Sequence, residues 1–164
     1  MFWGCFHADI KGPYLFWEKH WGSINQYTYQ AHTVPLMDGW NRMHLDLFTD
    51  EPQLLFMQDN AGPHAAHGTI QELLDRGIRL IEWPPFSPDL NPIEHVWNKM
   101  KDWIQQQYPN NPVDTCTEAD YDRLREQVTA AWHAIGSDYL RELVRTMPEW
   151  CLDVIIANGG HTKW

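Results

Sequence analysis

The chain alternates short, dense apolar runs with longer stretches in which apolar residues recur every three or four positions. Phe2–His7 and Tyr14–Trp17 are aromatic-rich runs of strand length, and they read as a β-hairpin turning at Gly12-Pro13. A strand this apolar ordinarily has neighbours on both sides, so further sheet is expected upstream of Phe2. From Ile24 to about Asp50 the spacing becomes helical, with Val34, Leu36, Met37, Trp40, Met43, Leu45, Leu47 and Phe48 as the apolar set. Ser23 is the expected N-cap, Pro35 should kink or divide the helix, and Glu51-Pro52 should end it.

Leu54–Met57 is a compact apolar run leading into Gln58-Asp59, the pattern of a buried strand whose C-terminal end opens onto a site. Pro63 suits the first position of a helix, where its missing N–H costs nothing. That helix should run His64–Asp75 and close at Arg76-Gly77, with Gly77 just beyond its end. Arg79–Trp83 is the next strand. Strand, helix and strand in this order predict a right-handed crossover with parallel pairing. After the connector WPPFSPDLNP a helix is expected over Pro92 to about Gln107. A Pro/Asn-rich break follows at Tyr108–Thr117, then helices near Glu118–Ile135, Ser137–Met147 and Glu149–Ala157, with a stop at Asn158-Gly-Gly.

Two acids stand out against this framework. Asp59 follows a strand, and Glu94 falls in the first turn of the Pro92 helix, with 34 residues between them. Each has a purely structural explanation. Asn91-Pro92-Ile93-Glu94 fits N-cap to N3, so Glu94 could close a variant of the capping box. Asp59-Asn60 before Gly62-Pro63 could be turn chemistry. Geometry favours a joint role. Ile93, Val96, Trp97, Met100, Trp103 and Ile104 form one apolar stripe, and Glu94 lies about 100° round the helix from Ile93, at the stripe's edge. Ligands gather beyond the carboxyl ends of parallel strands, where Asp59 sits. Two convergent carboxylates suit Mg²⁺ or Mn²⁺, hard cations that take oxygen ligands.

Composition narrows the field. A length of 164 residues points to one domain, with 43% apolar residues and 10 Trp to build its core. The net charge is −10, from 12 basic and 22 acidic residues. No basic stripe is available to neutralise phosphates, so action on nucleic acid would need metal ions, a separate basic module, or both. Cys5, Cys116 and Cys151 are odd in number and far apart. They predict reduced, mostly buried thiols in an intracellular protein rather than a disulfide framework or zinc knuckle. No apolar run approaches the length of a membrane span, and Phe2–His7 lacks the build of a signal peptide.

The blocks Phe56-Met-Gln-Asp-Asn-Ala-Gly-Pro-His64 and Trp83-Pro-Pro-Phe-Ser-Pro-Asp-Leu-Asn-Pro-Ile-Glu-His-Val-Trp97 resemble the two signature blocks of the mariner-type transposases. These form the branch of the Asp-Asp-Glu recombinase superfamily with 34 residues between the second and third acids. Trp3-Gly-Cys-Phe6 and Ala157-Asn-Gly-Gly-His-Thr-Lys-Trp164 are similar to that family's flanks. The resemblance implies a ribonuclease-H-like α/β fold: a mixed five-stranded sheet flanked by helices. It matches Asp59 to the second catalytic acid and Glu94 to the third. With a first Asp they would hold two Mg²⁺ (or Mn²⁺) ions about 3.5–4 Å apart for in-line displacement at a phosphodiester. DNA, as transposon ends and target, would be the partner; a homodimer would be the full-length assembly and the nucleus its location.

The family's first Asp lies on a strand just upstream of the hairpin, and its helix-turn-helix module lies further upstream. The chain is accordingly expected to be a single catalytic domain, residues 1–164, that is N-terminally truncated, lacks its first strand, and is defective in strand cleavage. Asp9 falls in the hairpin turn and is not a substitute.

Asn60 and His64 are candidate site-lining residues, Asn60 to orient Asp59 or a metal-bound water, or else to shape the turn. His64 and His67 have i, i+3 spacing, which can bind zinc, but no third ligand is evident. Lys101 lies on the flank of Glu94 and reads as a surface lysine rather than a phosphate contact. Trp97, Met100 and Trp103 read as core rather than base-stacking platforms, and Glu118–Asp122 as a solvated helix start. The rivals to a transposase catalytic domain are a non-catalytic remnant binding DNA or protein, and an independent metallohydrolase of the same fold.

Overall fold

In the computed structural model, residues 1–47, 54–84, 87–109, 117–160 and 162–163 are described. The expected helix stop at Glu51-Pro52, the thiol of Cys116 and most of the break before Glu118 lie outside them. So do Pro85 and Phe86 of the connector. Strands β1 (Phe2–His7) and β2 (Ile10–Phe16) pair across the two residues Ala8 and Asp9, with Ala8 at φ 50°. The turn thus precedes the predicted Gly12-Pro13, although Asp9 does lie in it. Gly12 serves close packing instead. A Cβ there would lie 1.8 Å from Cζ3 of Trp40, so only glycine lets the strand run flush against that ring. Pro13 is tolerated because both strands of a two-stranded sheet are edges.

The described residues gather into two compact units, Met1–Cys5 with Gly12–Pro88, and Phe6–Lys11 with Asp89–Trp164. In the first, Asn25 rather than Ser23 caps α1 (Gln26–His32), exchanging bonds with Thr28 in a capping box. Thr33 joins α1 to α2 (Val34–Leu47), and Pro35 at the second position of α2 divides the two as expected. The buried face of α2 is Val34, Met37, Asp38, Asn41 and His44, while Met43, Leu45 and Leu47 are exposed. The predicted apolar set is therefore only partly inward.

Strand β3 (Leu55–Phe56) pairs in parallel with β4 (Arg79–Leu80), Leu55 opposite Arg79 and Phe56 opposite Leu80. The parallel crossover is as predicted, but each strand is only two residues long and Leu55 is exposed rather than buried. The intervening helix is broken into α3 (Gly62–Ala65) and α4 (His67–Asp75) by Ala66, which is extended at φ −60°, ψ 131°. Thr69, fully buried, donates its hydroxyl to the Pro63 carbonyl at 2.8 Å. That contact is absent from a continuous helix and accounts for the break. Pro63 occupies the second position of α3, after Gly62.

Helix α4 ends in a Schellman motif. Gly77 (φ 75°) donates to the Leu74 carbonyl, and Ile78 donates to that of Leu73. Leu73 and Ile78 join Tyr29, Val34 and Met37 in the core, with Trp3, Phe56 and Leu80 packed against them.

Asp38 fastens two helices of this unit. Its carboxylate takes Nε and Nη2 of Arg42 at 2.8 and 3.1 Å and Nη1 of Arg76 at 3.0 Å; Arg76 also grips Glu72 at 2.8 Å. The Arg42 guanidinium, then Arg76, hold the Asp38 carboxyl below the usual carboxylate range against the cost of burial. A lowered folded-state value contributes stability above the unfolded value of about 3.9, lost as pH falls through the folded value. Asp38→Asn is therefore expected to destabilise the chain at pH 7 by only about 1 kcal/mol, since Arg42 is 70% exposed and screened by solvent and Arg76 keeps Glu72. Urea unfolding at pH 7 and below pH 3 checks this, and the deficit should shrink at the lower pH.

In the second unit, α5 (Pro92–Gln107) has the predicted limits. Helix α6 (Glu118–Ala134) opens with a Thr117–Asp120 capping box, in keeping with a solvated acidic start. Helix α7 (Ser137–Ile156) is one helix, not two, and passes through Pro148. The proline forfeits the bond to the Val144 carbonyl, but Val144 is exposed, where water can take up that carbonyl. Leu90, Val96, Met100, Ala131, Trp132, Ile135, Leu140, Leu143 and Trp150 are the buried apolar residues of this unit. The Trp97 ring lies 5.9 Å from that of Trp132, so Trp97 and Met100 are core; Trp103 is half-buried against Tyr108.

Lys11 donates to the carbonyls of Trp132, His133 and Ile135 at 3.0, 2.9 and 2.9 Å, closing the C-terminal end of α6. Cys5 is half-buried, and burial pushes its thiol up to about 12. Cys151 is exposed, against the expectation of buried thiols, because it falls on the outer face of α7. Among the described residues no helix is long and apolar enough to cross a membrane.

Candidate functional site

Asp59 stands three residues beyond β3, at the carboxyl end of the parallel pair. Its Oδ1 accepts from the Ala61 backbone N–H at 3.2 Å and lies 2.5 Å from Nδ1 of His64. The first contact is the turn chemistry that Asp59-Asn60 suggested. The second goes beyond it. An ionised carboxylate only accepts, so a hydrogen bond here requires the His64 proton on Nδ1. Both contacts use one oxygen. Oδ2 has no partner among the described residues, and the side chain is 46% exposed.

His64 lies in α3, and His67 begins α4 beyond the break at Ala66. The two do not share a helix face, which removes the zinc geometry. Asn60 does not orient Asp59. Its amide donates to the Trp83 carbonyl at 3.0 Å, tying the loop after β3 to the chain leaving β4.

Two further residues support His64 and were not singled out in the sequence. Gln58 donates its amide to the His64 carbonyl at 3.1 Å and accepts from the Tyr29 hydroxyl at 3.4 Å. The Tyr29 ring lies 4.5 Å from the imidazole, and Trp3 packs against the core cluster that holds Tyr29. Burial pushes the Tyr29 hydroxyl above the ordinary phenol range, so it stays a donor. Gln58 had a signal, its place beside Asp59; Tyr29, on α1, had none.

Glu94 lies at the third position of α5. Asn91 alone caps this helix, its side chain accepting from Ile93 N–H at 3.2 Å, and no capping box forms. The Glu94 carboxylate is half-buried and has no partner among the described residues. Its charge is favourable on a first helical turn, but nothing there consumes its oxygens. Lys101 is exposed.

Asp9 is committed elsewhere. It pairs with Arg141, which holds its carboxyl below the usual range. Among the described residues no three His, Cys, Asp or Glu side chains are grouped to hold a metal ion. What Asp59 and Glu94 each offer is hard, ionisable oxygen, the donor type that Mg²⁺ and Mn²⁺ accept.

Residues 36–114, which include both acids, match the DDE superfamily endonuclease family. Over all 164 residues the chain is 30% identical to the Tcb1 transposable-element transposase of Caenorhabditis briggsae and 29% identical to the Tc1 transposase of Caenorhabditis elegans. It spans 54% of the length of each. Among solved structures, the catalytic domain of Mos1 mariner transposase superposes with a TM-score of 0.78 at 15% identity, covering 99% of this chain and 75% of that one. The same domain solved with raltegravir and Mg gives 0.77. The mixed α/β architecture with small sheets is thus the ribonuclease-H-like fold of that domain. Along its whole length the chain is thus similar in sequence to the Tc1-type transposases, its residues 36–114 match the DDE superfamily endonuclease family, and its fold is that of the Mos1 catalytic domain.

Proposed function

We propose that residues 1–164 serve as one transposase catalytic domain for metal-dependent DNA strand cleavage and strand transfer, with Asp59 and Glu94 as its second and third acids. The observation that carries the reading is that each leaves carboxylate oxygen without a partner among the described residues, at the motif position where a metal ligand is needed. Asp59 and Glu94 would hold Mg²⁺ or Mn²⁺. Metal bound there would supply activation of a water or 3′-hydroxyl and stabilisation of the leaving oxygen of the phosphodiester. The chain's own part is to fix the ligands: the turn at Ala61 and the His64 imidazole hold one oxygen of Asp59, and Asn91 frees Glu94 from capping. His64 lines the site, and Asn60 shapes the loop beneath it. DNA is the partner, as transposon ends and target, with a homodimer as the assembly of the full-length protein and the nucleus as its location.

A second reading, a non-catalytic module that binds DNA or protein, is favoured by one observation: the early acid within these residues, Asp9, is taken by Arg141. The two readings meet in one assay. The purified 164-residue polypeptide is expected to give no metal-dependent nicking above background on duplexes ending in transposon repeats, in Mg²⁺ or Mn²⁺. Nicking that Asp59→Asn abolishes would show that two acids suffice, and would reject the defective state. Supplying the family's first acid should separate the readings, since a catalytic domain gains cleavage and a binding module does not.

A further inference from the structure

The hydrogen bonds that run from Tyr29 through Gln58 end on His64, and nothing in the proposed chemistry uses them. Their layout is specific. Gln58 holds the His64 main chain while the Tyr29 ring packs on the imidazole, so the residue is fixed at both backbone and ring. Tyr29 is itself packed in the core, 1% exposed. His64 meets only Oδ1 of Asp59, and the Ala61 N–H meets the same atom.

We propose that Tyr29 and Gln58 are positioning residues that lock His64 against Oδ1 of Asp59, so that Oδ2 is the oxygen Asp59 offers to a divalent cation. The cation half rests on the reading of Asp59 as a metal ligand; the lock does not. Outer partners of this kind orient a ligating carboxylate and set its affinity. Tyr29 and Gln58 touch neither the cation nor DNA in this scheme and act only through His64.

Proton–nitrogen correlation spectra of the metal-free chain test the lock without any activity. The His64 Nδ1–H should be protected from solvent exchange. Tyr29→Phe keeps the ring in the core and removes only the hydroxyl, while Gln58→Leu removes the amide. Each should speed that exchange by about tenfold, the weight of one hydrogen bond. The double variant should do little more than the stronger single one, because the two act in series. Melting temperatures within a few degrees of the parent would separate this from general loosening, and Tyr29→Phe alone decides the matter if Gln58→Leu does not fold. Unchanged exchange in Tyr29→Phe overturns the lock.

Added Mn²⁺ then reads the cation half through paramagnetic broadening around Asp59. Tyr29→Phe should need about tenfold more Mn²⁺ for the same broadening. Equal requirement overturns the coupling of the lock to the cation. No broadening at Asp59 in the parent chain overturns Asp59 as a ligand, and with it the proposed function, while leaving the lock standing.

Discussion

In a chimaera that places an Asp-bearing first strand from an active mariner-type transposase before Phe2, Glu94→Gln is expected to lower Mg²⁺-dependent strand cleavage about a thousandfold. That corresponds to roughly 4 kcal/mol of transition-state stabilisation. The substitution is chosen because so little else should change. Glutamine and glutamate have similar helix propensities, and Asn91 keeps the cap because it works without the Glu94 side chain. The one structural debit is the loss of a negative charge from a helical first turn, about 0.5 kcal/mol. Melting temperature and DNA affinity should therefore hold while cleavage collapses. If the chimaera with Glu94→Gln cleaves within about tenfold of its parent, Glu94 leaves the chemistry and returns to the status of a helix-start acid.

The second large effect concerns stability. Trp132→Ala is expected to cost about 3–5 kcal/mol, the range for emptying a buried tryptophan site. Trp132 is 1% exposed, its ring lies 5.9 Å from that of Trp97, and its carbonyl is one of the three that receive Lys11. Collapse from one side cannot replace the indole, since α5 and α6 both run as unbroken helices through this region. Denaturant unfolding should show a midpoint shift, and Trp132→Phe should recover a large share of the loss. A cost below about 1 kcal/mol would mean that the second unit is not built around this ring.

The sequence made legible those features whose causes are local. The limits of α5 follow from Asn91 and Pro92 at one end and the Pro/Asn-rich break at the other. The end of α4 follows from Gly77, and the parallel pairing of β3 with β4 from the strand–helix–strand order. Features set by distant partners were hidden. Gly12-Pro13 carries turn chemistry, yet the hairpin turns at Ala8 and Asp9 because Gly12 is needed where Trp40 crosses the strand. Ala66 is a helix former by propensity, yet it breaks a helix because Thr69 reaches back to Pro63. Ser23 and Asn25 both suit a cap, and the choice fell to Asn25 because Thr28 lies three residues on to complete the box. The candidate acids and His64 could be singled out from their motifs, but the Tyr29 contact to Gln58 could not, since it comes from a helix with no motif of its own.

The tip of the hairpin is moored twice, by means that should respond oppositely to ionic strength. Arg141 and Asp9 form a charge pair with a solvent-facing guanidinium, 58% exposed, and dissolved ions should loosen it. The Lys11 ammonium faces three peptide carbonyls of α6 and the residue after it, neutral groups at short range whose hold on it survives brine far better. A concentrated electrolyte should therefore unhook Asp9 first and leave the Lys11 amine in place on its carbonyls.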